Sequence, residues 1–352
     1  MQDRRENQRS IKKAVSIAGI GLHTGVQTRM TFKPAAQNTG IRFLRTDVPN
    51  AKPIPADIDH VVDISRGTTL EHNGSRIHTT EHVLAAISGL EIDNILIELD
   101  NKEPPVMDGS AIPFVDILLD AGFEEQEAAR EYLVLDKTIT YSDPEKGVDI
   151  HALPSNQFRV TFLIDYKLQS LGTQYMSFYS LEQDFVEQIA PARTFCFLHE
   201  VEELKAQGLI KGGSADTALV MIDRKIEESE LSRLQKLFNI DEKLIQSENG
   251  ILNGKELRSK TEPVRHKILD LIGDLALLGM PIQGHITAAR SGHASNVELV
   301  RLLKKEYEKQ ILAKRFQRRP RERQIVFDTE AIMRILPHRY PFLLIDRIID
   351  FT

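Results

Sequence analysis

The sequence predicts an α+β fold in two halves, each a run of short strands followed by helices, packed together as layers. Two observations predict it. Apolar residues alternate in short stretches beside glycine and proline from Ser16 onward and give way to an amphipathic helix near residue 80, and the same succession starts again after a polar, acidic stretch at 121–131. A length of 352 residues also exceeds what one compact core usually holds, which favours two domains.

The first strands are SIAGIGLHTG, TRMTFKPA and GIRFLRTD. In HTTEHVLAAISGL, Val83, Ala86, Ile87 and Leu90 recur at helical spacing, with Thr79 or Thr80 as the expected N-cap. NILIELD reads as a strand and PFVDILLDAGF as a helix, after which the acidic stretch marks a domain boundary. The second series of strands begins at YLVLDKTITY and runs to about Phe178, and helices are expected in parts of 181–207 and 223–246. PVRHKILDLIGDLALLG, with Pro263 near its start, is the strongest helix; the strand HITAAR and the helix SNVELVRLLKKEYEK follow it. No exact sequence repeat underlies the two halves, so any duplication is architectural.

Composition narrows the function. Hydrophobic residues make up 41% and charged ones 27%, as in an ordinary globular enzyme, and the net charge of -6 argues against nucleic acid as a partner. The single cysteine, Cys196, excludes an internal disulfide, and MQDRRENQRSIKK lacks the apolar stretch of a secretory signal. The longest apolar run, ILDLIGDLALLG, is too short and too charged to span a bilayer. A cytoplasmic protein that does not span a membrane is the expectation. The basic run KRFQRRPRER at 314–323 reads as a solvated linker, since it is short and has no interleaved aromatic array.

The helix after Pro263 has two faces. At 100° per residue Val264, Ile268, Leu271, Ile272, Leu275 and Leu278 share one arc, while His266, Asp270 and Asp274 stand four apart on another. His266 and Asp270 can reach one cation together, with Asp274 a turn further on to orient a neighbouring group. Taken alone the same pattern fits a solvated face bearing an i, i+4 His–Asp pair. The dipeptide Glu81-His82 adds a carboxylate and an imidazole, and His82 would complete a His-His-Asp set with a coordination position left for water and Glu81 nearby to deprotonate it. By itself the dipeptide is equally a surface glutamate beside a capping histidine.

SGHASN places His293 at the opening of a helix, where it can protonate a leaving amine or simply cap. ARTFCF offers the Thr194 hydroxyl or a backbone amide to an oxyanion, beside Phe195, and is otherwise a buried strand or turn. Lys267 can hold a substrate oxygen or an exposed carboxylate. The Gly-Gly turn of GLIKGGSADTALV could approach a phosphate but matches no phosphate-loop pattern. His23, His78 and His285 have weaker cases and read as structural.

Taken in order, GIGLHTG, TTEHVLAAISGLEIDN, PVMDGSAIPFV, ARTF, GLIKGGSADTALV, VRHKILDLIGDL and SGHASN resemble the UDP-3-O-acyl-N-acetylglucosamine deacetylase family over about residues 10–310. The resemblance implies a two-domain sandwich, each domain a β-sheet with two packed helices, with the active site between the helical layers. It implies removal of acetate from a UDP-linked, acylated amino sugar on the way to lipid A. It implies zinc, or iron, held by His82, His266 and Asp270, with Glu81 as general base and His293 as acid. Thr194 and Lys267 become transition-state stabilisers, Asp274 the partner of the catalytic histidine, and Phe195 and Lys267 substrate contacts. The segment RKIEESELSRLQKLFNIDEK looks longer than the usual family segment.

Beyond the linker, TEAIMRILPHRYPFLLIDRI resembles the opening of 3-hydroxyacyl-acyl-carrier-protein dehydratase, with His338 on its catalytic histidine. The expected organisation is therefore 1–126 and 127–310 for the two deacetylase domains, 311–326 for the linker and 327–352 for the start of a hotdog-fold module. Dehydratase chemistry, with acyl-carrier protein as partner, is the alternative function, and it is not expected because the resemblance stops before that enzyme's long helix and catalytic acid. A further alternative is a nucleotide-sugar or lipid binder without catalysis, which would need no metal.

Overall fold

Two five-stranded sheets with the same strand order account for the two series of alternating stretches. A computed structural model describes residues 5–65, 67–167, 171–213, 217–223, 250–252, 255–317, 327–339, 341–345 and 348. The first sheet contains β1 (Val15–Ile20), β2 (Gln27–Pro34), β3 (Ile41–Arg45), β4 (Ile54–Pro55) and β5 (Ile95–Leu99), in the order β1-β2-β5-β3-β4. The second contains β6 (Ile139–Asp143), β7 (Val148–Leu153), β8 (Arg159–Asp165), β9 (Thr173–Phe178) and β10 (His285–Ala289), in the order β6-β7-β10-β8-β9. In both, the last strand in sequence slots into the middle, antiparallel to one neighbour and parallel to the other. A parallel pair needs a crossover, and in each half the crossover carries helix while one further helix follows the last strand.

Alternation decides which face each strand buries. In β2, Thr28, Met30 and Phe32 are buried between more exposed residues, and in β8 Val160, Phe162 and Ile164 do the same. The longer helices are α1 (Glu81–Gly89), α2 (Ile112–Ala121), α3 (Leu198–Ala206), α4 (Glu262–Leu275) and α5 (His293–Gln317); α2 packs on β1 and α4 on β8 and β9, whereas Leu198 and Val201 of α3 join a separate buried cluster with Val220 and Leu252. α1 and α4 pack against one another so closely that a Cβ on Gly273 would lie 2.2 Å from the Glu81 carbonyl oxygen. Glycine at 273 lets the two backbones touch, and the contact sets the residues at the start of α1 beside the middle of α4.

The α+β class and the two sheets agree with the sequence reading. Several local expectations change. The acidic stretch read as a boundary contains a strand, Phe123–Ala129, antiparallel to Asn7–Ile11, because a ribbon with exposed side chains needs no alternating apolar signal. Thr80 does occupy the N-cap of α1, but its hydroxyl makes no capping bond and donates to the Thr68 carbonyl instead. YLVLDKTITY divides into a short strand, Leu133–Val134, and β6. The last helix begins earlier and runs longer than SNVELVRLLKKEYEK. The helix expected in 223–246 falls almost wholly outside the described residues.

By contact density Met1–Lys304 forms one compact unit and Lys305–Thr352 another. In the second, Asp328 caps the helix Thr329–Ile335 by accepting from Ala331 N, and Phe327 exchanges backbone hydrogen bonds with Ile348. Among the described residues no helix is long and apolar enough to cross a membrane.

Candidate metal centre

The polar face of α4 is the first surprise, because it is not solvated. His266 is 3% exposed, Asp270 4% and Asp274 0%, so the helix is buried nearly all round and three ionisable side chains leave water with it. Burying such groups costs several kcal/mol each, about the scale at which only specific partners make the arrangement tolerable. The partners are present.

His82, the second residue of α1, comes alongside His266 and Asp270, and the ligand atoms of the three lie within 4.8 Å of one another. Asp270 Oδ1 is 3.7 Å from His82 Nε2 and 3.4 Å from His266 Nε2, and the two imidazoles stand edge to face at 5.0 Å. The other oxygen, Oδ2, accepts from Lys267 Nζ at 2.8 Å. Burial pushes the His266 imidazolium down to about 4, against the pull of Asp270, so this ring is neutral near pH 7. Its Nδ1 lies 3.1 Å from the Ala192 carbonyl oxygen and donates to it, which leaves the Nε2 lone pair facing His82 and Asp270. Burial opposes ionisation of Asp270, but Lys267 and then His266 hold its carboxyl well below the usual carboxylate range. Lys267 is in turn held above its ordinary value, since Asp270 more than offsets the burial of its charge.

Two imidazoles and one carboxylate on two helices make a donor set compatible with a metal ion. Among the described residues no other group of three such side chains is close enough to share one.

Around this set stand the other candidates. Glu81, 4% exposed, has its carboxyl pushed above the ordinary value by burial, and Oε2 accepts from Thr68 N at 2.9 Å. His293 opens α5, and its Nδ1 donates to Asp274 Oδ2 at 2.8 Å. Burial alone would discourage charge on His293, but Asp274 raises it to about 10, so the ring is an imidazolium near neutrality. Asp274 also accepts from Asn296 Nδ2 at 2.9 Å and, through Oδ1, from the Thr68 hydroxyl at 2.8 Å.

Glu81, His82, His266, Lys267, Asp270, His293, Thr194 and Phe195 all line one cavity of about 360 Å³. Its lining also includes the apolar Leu22, Phe114, Leu204, Ile210 and Ala218. Phe195 lies 6.1 Å from the His266 ring and 5.9 Å from Tyr166, and Tyr166 lies 5.0 Å from Phe197. Cys196 shares the cavity, but burial pushes its thiol up to about 12, which removes thiolate chemistry from consideration near pH 7.

Thr194 owes its position to a buried ion pair one residue away. Glu262, 0% exposed, accepts from Arg193 Nε at 2.8 Å, Arg193 Nη2 at 3.1 Å and Arg193 N at 3.0 Å, and from Arg258 N at 2.7 Å. The first turn of α4 thereby clamps the segment that carries the Ala192 carbonyl and Thr194. Glu262, Thr68, Asn296 and Tyr166 are not among the candidates that the sequence offers. None of them announces itself locally, since Thr68 meets Asp274 across 206 positions of chain and Arg193 meets Glu262 across 69.

His78 and His285 hydrogen-bond to Thr69 Oγ1 at 3.1 Å and Thr161 Oγ1 at 2.9 Å, away from the cluster. His23 lines the cavity. The Gly-Gly turn meets the GIGLHTG loop: Gly212 N donates to the Leu22 carbonyl at 3.0 Å, and a Cβ on Gly212 would lie 2.3 Å from the Gly21 oxygen. His338 lies in the unit Lys305–Thr352, exposed, after the helix Thr329–Ile335.

Comparison with known proteins decides the family. The model of UDP-3-O-acyl N-acetylglycosamine deacetylase, LpxC, matches residues 8–238 and 225–305. The chain belongs to the UDP-3-O-acyl N-acetylglycosamine deacetylase family. A relative named UDP-3-O-acyl-N-acetylglucosamine deacetylase, from Myxococcus xanthus, is 41% identical over 295 residues, 84% of this chain and 85% of the relative. A bifunctional enzyme LpxC/FabZ of Chlorobaculum tepidum is 51% identical over 346 residues, 98% of this chain and 74% of the relative, and one of Porphyromonas gingivalis is 40% identical over 345. The bifunctional relatives align past residue 310, in keeping with the second resemblance at the C-terminal end. As an LpxC-family deacetylase the chain is a hydrolase, and the two sheets with their helices are the LpxC fold.

Proposed function

We propose that this protein is a zinc-dependent hydrolase that removes the N-acetyl group of a UDP-linked, 3-O-acylated N-acetylglucosamine, a step toward lipid A, in the cytoplasm. The observation that carries the proposal is the meeting of His82, His266 and Asp270 within 4.8 Å, with Glu81 and His293 lining the same cavity. The domains we assign are 1–126 and 127–310; α5 continues to Gln317, inside the stretch 311–326 that the sequence suggests as a linker.

The donor set suits zinc, and it would also accept iron. His82, His266 and Asp270 would hold a divalent ion, which would supply a lowered pKa for bound water and polarisation of an amide carbonyl. Glu81, whose carboxyl is pushed above its ordinary value by burial, takes the proton as the water oxygen attacks the acetyl carbon. The Thr194 hydroxyl and the Lys267 ammonium stabilise the oxyanion that forms on the substrate. His293, charged through Asp274, gives its proton to the nitrogen as the C–N bond breaks, so acetate and a free amine leave. Phe195 and Lys267 touch the sugar end of the substrate, and the apolar part of the lining receives the acyl chain.

The test combines metal analysis with acetate release from the acylated UDP-sugar. His82→Ala and Asp270→Ala are expected to lose bound zinc and turnover together, whereas Glu81→Gln keeps zinc and loses turnover; normal turnover in either ligand variant contradicts the assignment. Bound ligand without zinc, and no effect of Glu81→Gln, would instead indicate a binding protein.

A second reading has one support, the double name of the bifunctional relatives. Residues 327–352 would then open a dehydratase module with His338 as its histidine and acyl-carrier protein as partner. The deacetylase reading is preferred, because His82, His266, Asp270, Glu81 and His293 line one cavity whereas His338 is exposed. Dehydration of an acyl-carrier-protein substrate that disappears in His338→Ala would show otherwise.

A further inference from the structure

We propose that Thr68 is a positioning residue that ties the proton acceptor of the reaction to the proton donor; the proposal rests on the roles given above to Glu81 and His293.

Thr68 is fully buried, and its polar groups point to three different parts of the site. Its N–H donates to Glu81 Oε2 at 2.9 Å. Its hydroxyl donates to Asp274 Oδ1 at 2.8 Å, on the opposite oxygen from the one that holds His293. Its carbonyl accepts twice from Thr80, from N at 3.2 Å and from Oγ1 at 3.0 Å. One residue therefore bridges the carboxylate of α1 and the carboxylate of α4.

The neighbours are arranged around that bridge. Thr80 stands at the N-cap of α1, where a threonine hydroxyl ordinarily accepts from a free helix N–H, yet this one anchors Thr68 instead. Departure from a local preference with no local compensation marks a residue serving the site. Gly67, at φ +129, lets the chain lie against Glu81, since a Cβ there would sit 2.6 Å from Glu81 Oε1.

The geometry assigns the hydroxyl a specific task. Asp274 can turn about its carboxyl bond unless both oxygens are held. His293 and Asn296 hold Oδ2, and Thr68 holds Oδ1, so the imidazolium is presented in one orientation. Because the same residue grips Glu81, any displacement of base and acid is shared and their separation is preserved.

The experiment uses the zinc-loaded full chain and the acylated UDP-sugar. Thr68→Val keeps the volume and the N–H but removes the hydroxyl; kcat should fall about 10- to 100-fold, as misplacing a catalytic group does, with KM changed no more than about twofold. Thr68→Ser restores the hydroxyl and should restore kcat, and zinc content should be unchanged in both. Added to His293→Gln, the valine substitution should cost little more, since the group it positions is already gone. Wild-type kcat in Thr68→Val, a serine variant as slow as the valine one, or fully additive losses would overturn the proposal. So would failure of both Thr68→Val and Thr68→Ala to fold while Thr68→Ser folds, which would make the bridge purely structural. Failure of the underlying roles shows separately: Glu81→Gln and His293→Gln would then retain turnover whatever Thr68 does.

Discussion

Removing the Glu262 carboxylate should disable the metal centre from a distance. In Glu262→Ala a guanidinium with 6% side-chain exposure loses its carboxylate, the partner of its Nε, while Nη2 keeps only the Glu256 carbonyl at 2.8 Å, and the N–H groups of Arg193 and Arg258 lose their acceptor. Breaking a buried ion pair by deleting one side costs about 3–5 kcal/mol, because the remaining charge stays in a poor solvent. The effect continues along the chain. The Ala192 carbonyl, next to Arg193, orients His266 at 3.1 Å, and loss of such a support typically weakens metal affinity about 10- to 100-fold. Equilibrium urea unfolding measures the first quantity and zinc competition against a chelator the second. Glu262 also predicts a pH signature. Burial resists its ionisation, but bonds from Arg193 bring its pKa below 4.5, so its stabilisation is complete above that pH and fades as pH falls toward the lower folded value. Glu262→Ala should flatten that acid limb of the stability profile. Unfolding within about 1 kcal/mol of wild type, with unchanged zinc affinity, would refute the reasoning, since a pair removed at no cost was never uncompensated.

Three other predictions follow from the same geometry. Gly273→Ala places a Cβ 2.2 Å from the Glu81 carbonyl oxygen and must part α1 from α4, costing about 1–3 kcal/mol in urea unfolding together with turnover; wild-type values for both would mean the helices do not meet there. Asp274→Asn removes the charge that lifts His293 to about 10, so the alkaline limb of kcat should move toward the ordinary value of 6.5. The sign for stability agrees: the imidazolium contribution is complete below about 6.5 and lost as pH rises through about 10, and a cation in the site lowers that upper bound. An unmoved limb in the asparagine variant would remove His293 from the acid role. Dialysis against a strong chelator should abolish acetate release, and zinc should restore it, with little change in far-ultraviolet circular dichroism because the ligands stand on helices already packed together; turnover that survives metal removal would contradict the mechanism.

The strands and the two central helices were legible because each obeys a local rule. Period-two alternation in GIRFLRTD and HITAAR gives inner strands of the two sheets, and the 3.6 period of VRHKILDLIGDL puts His266, Asp270 and Asp274 in one line whatever surrounds them. The acidic strand Phe123–Ala129 was missed because its pairing with Asn7–Ile11 is polar and non-local. The ligand set itself was only half legible. Spacing joins His266 to Asp270, but nothing in the local sequence brings His82 to them, and that step came from the order of several blocks resembling a known family.

The sequence by itself determined the alternation of strands and helices, the line of three ionisable residues along α4 and the types of chemistry those residues can do. Whether that line faced water or the interior was decided by tertiary structure. Gly273 allows α1 to press on α4, and contact with α1 and the neighbouring chain buries the polar face together with Glu81. Burial in turn neutralises His266, lifts the Glu81 carboxyl and strengthens the hold of Asp274 on His293, because charges interact more strongly once water is excluded. Thr68 and Glu262 acquire their importance only there, since a hydroxyl and a carboxylate have no fixed partner until the fold brings one from a distant part of the chain.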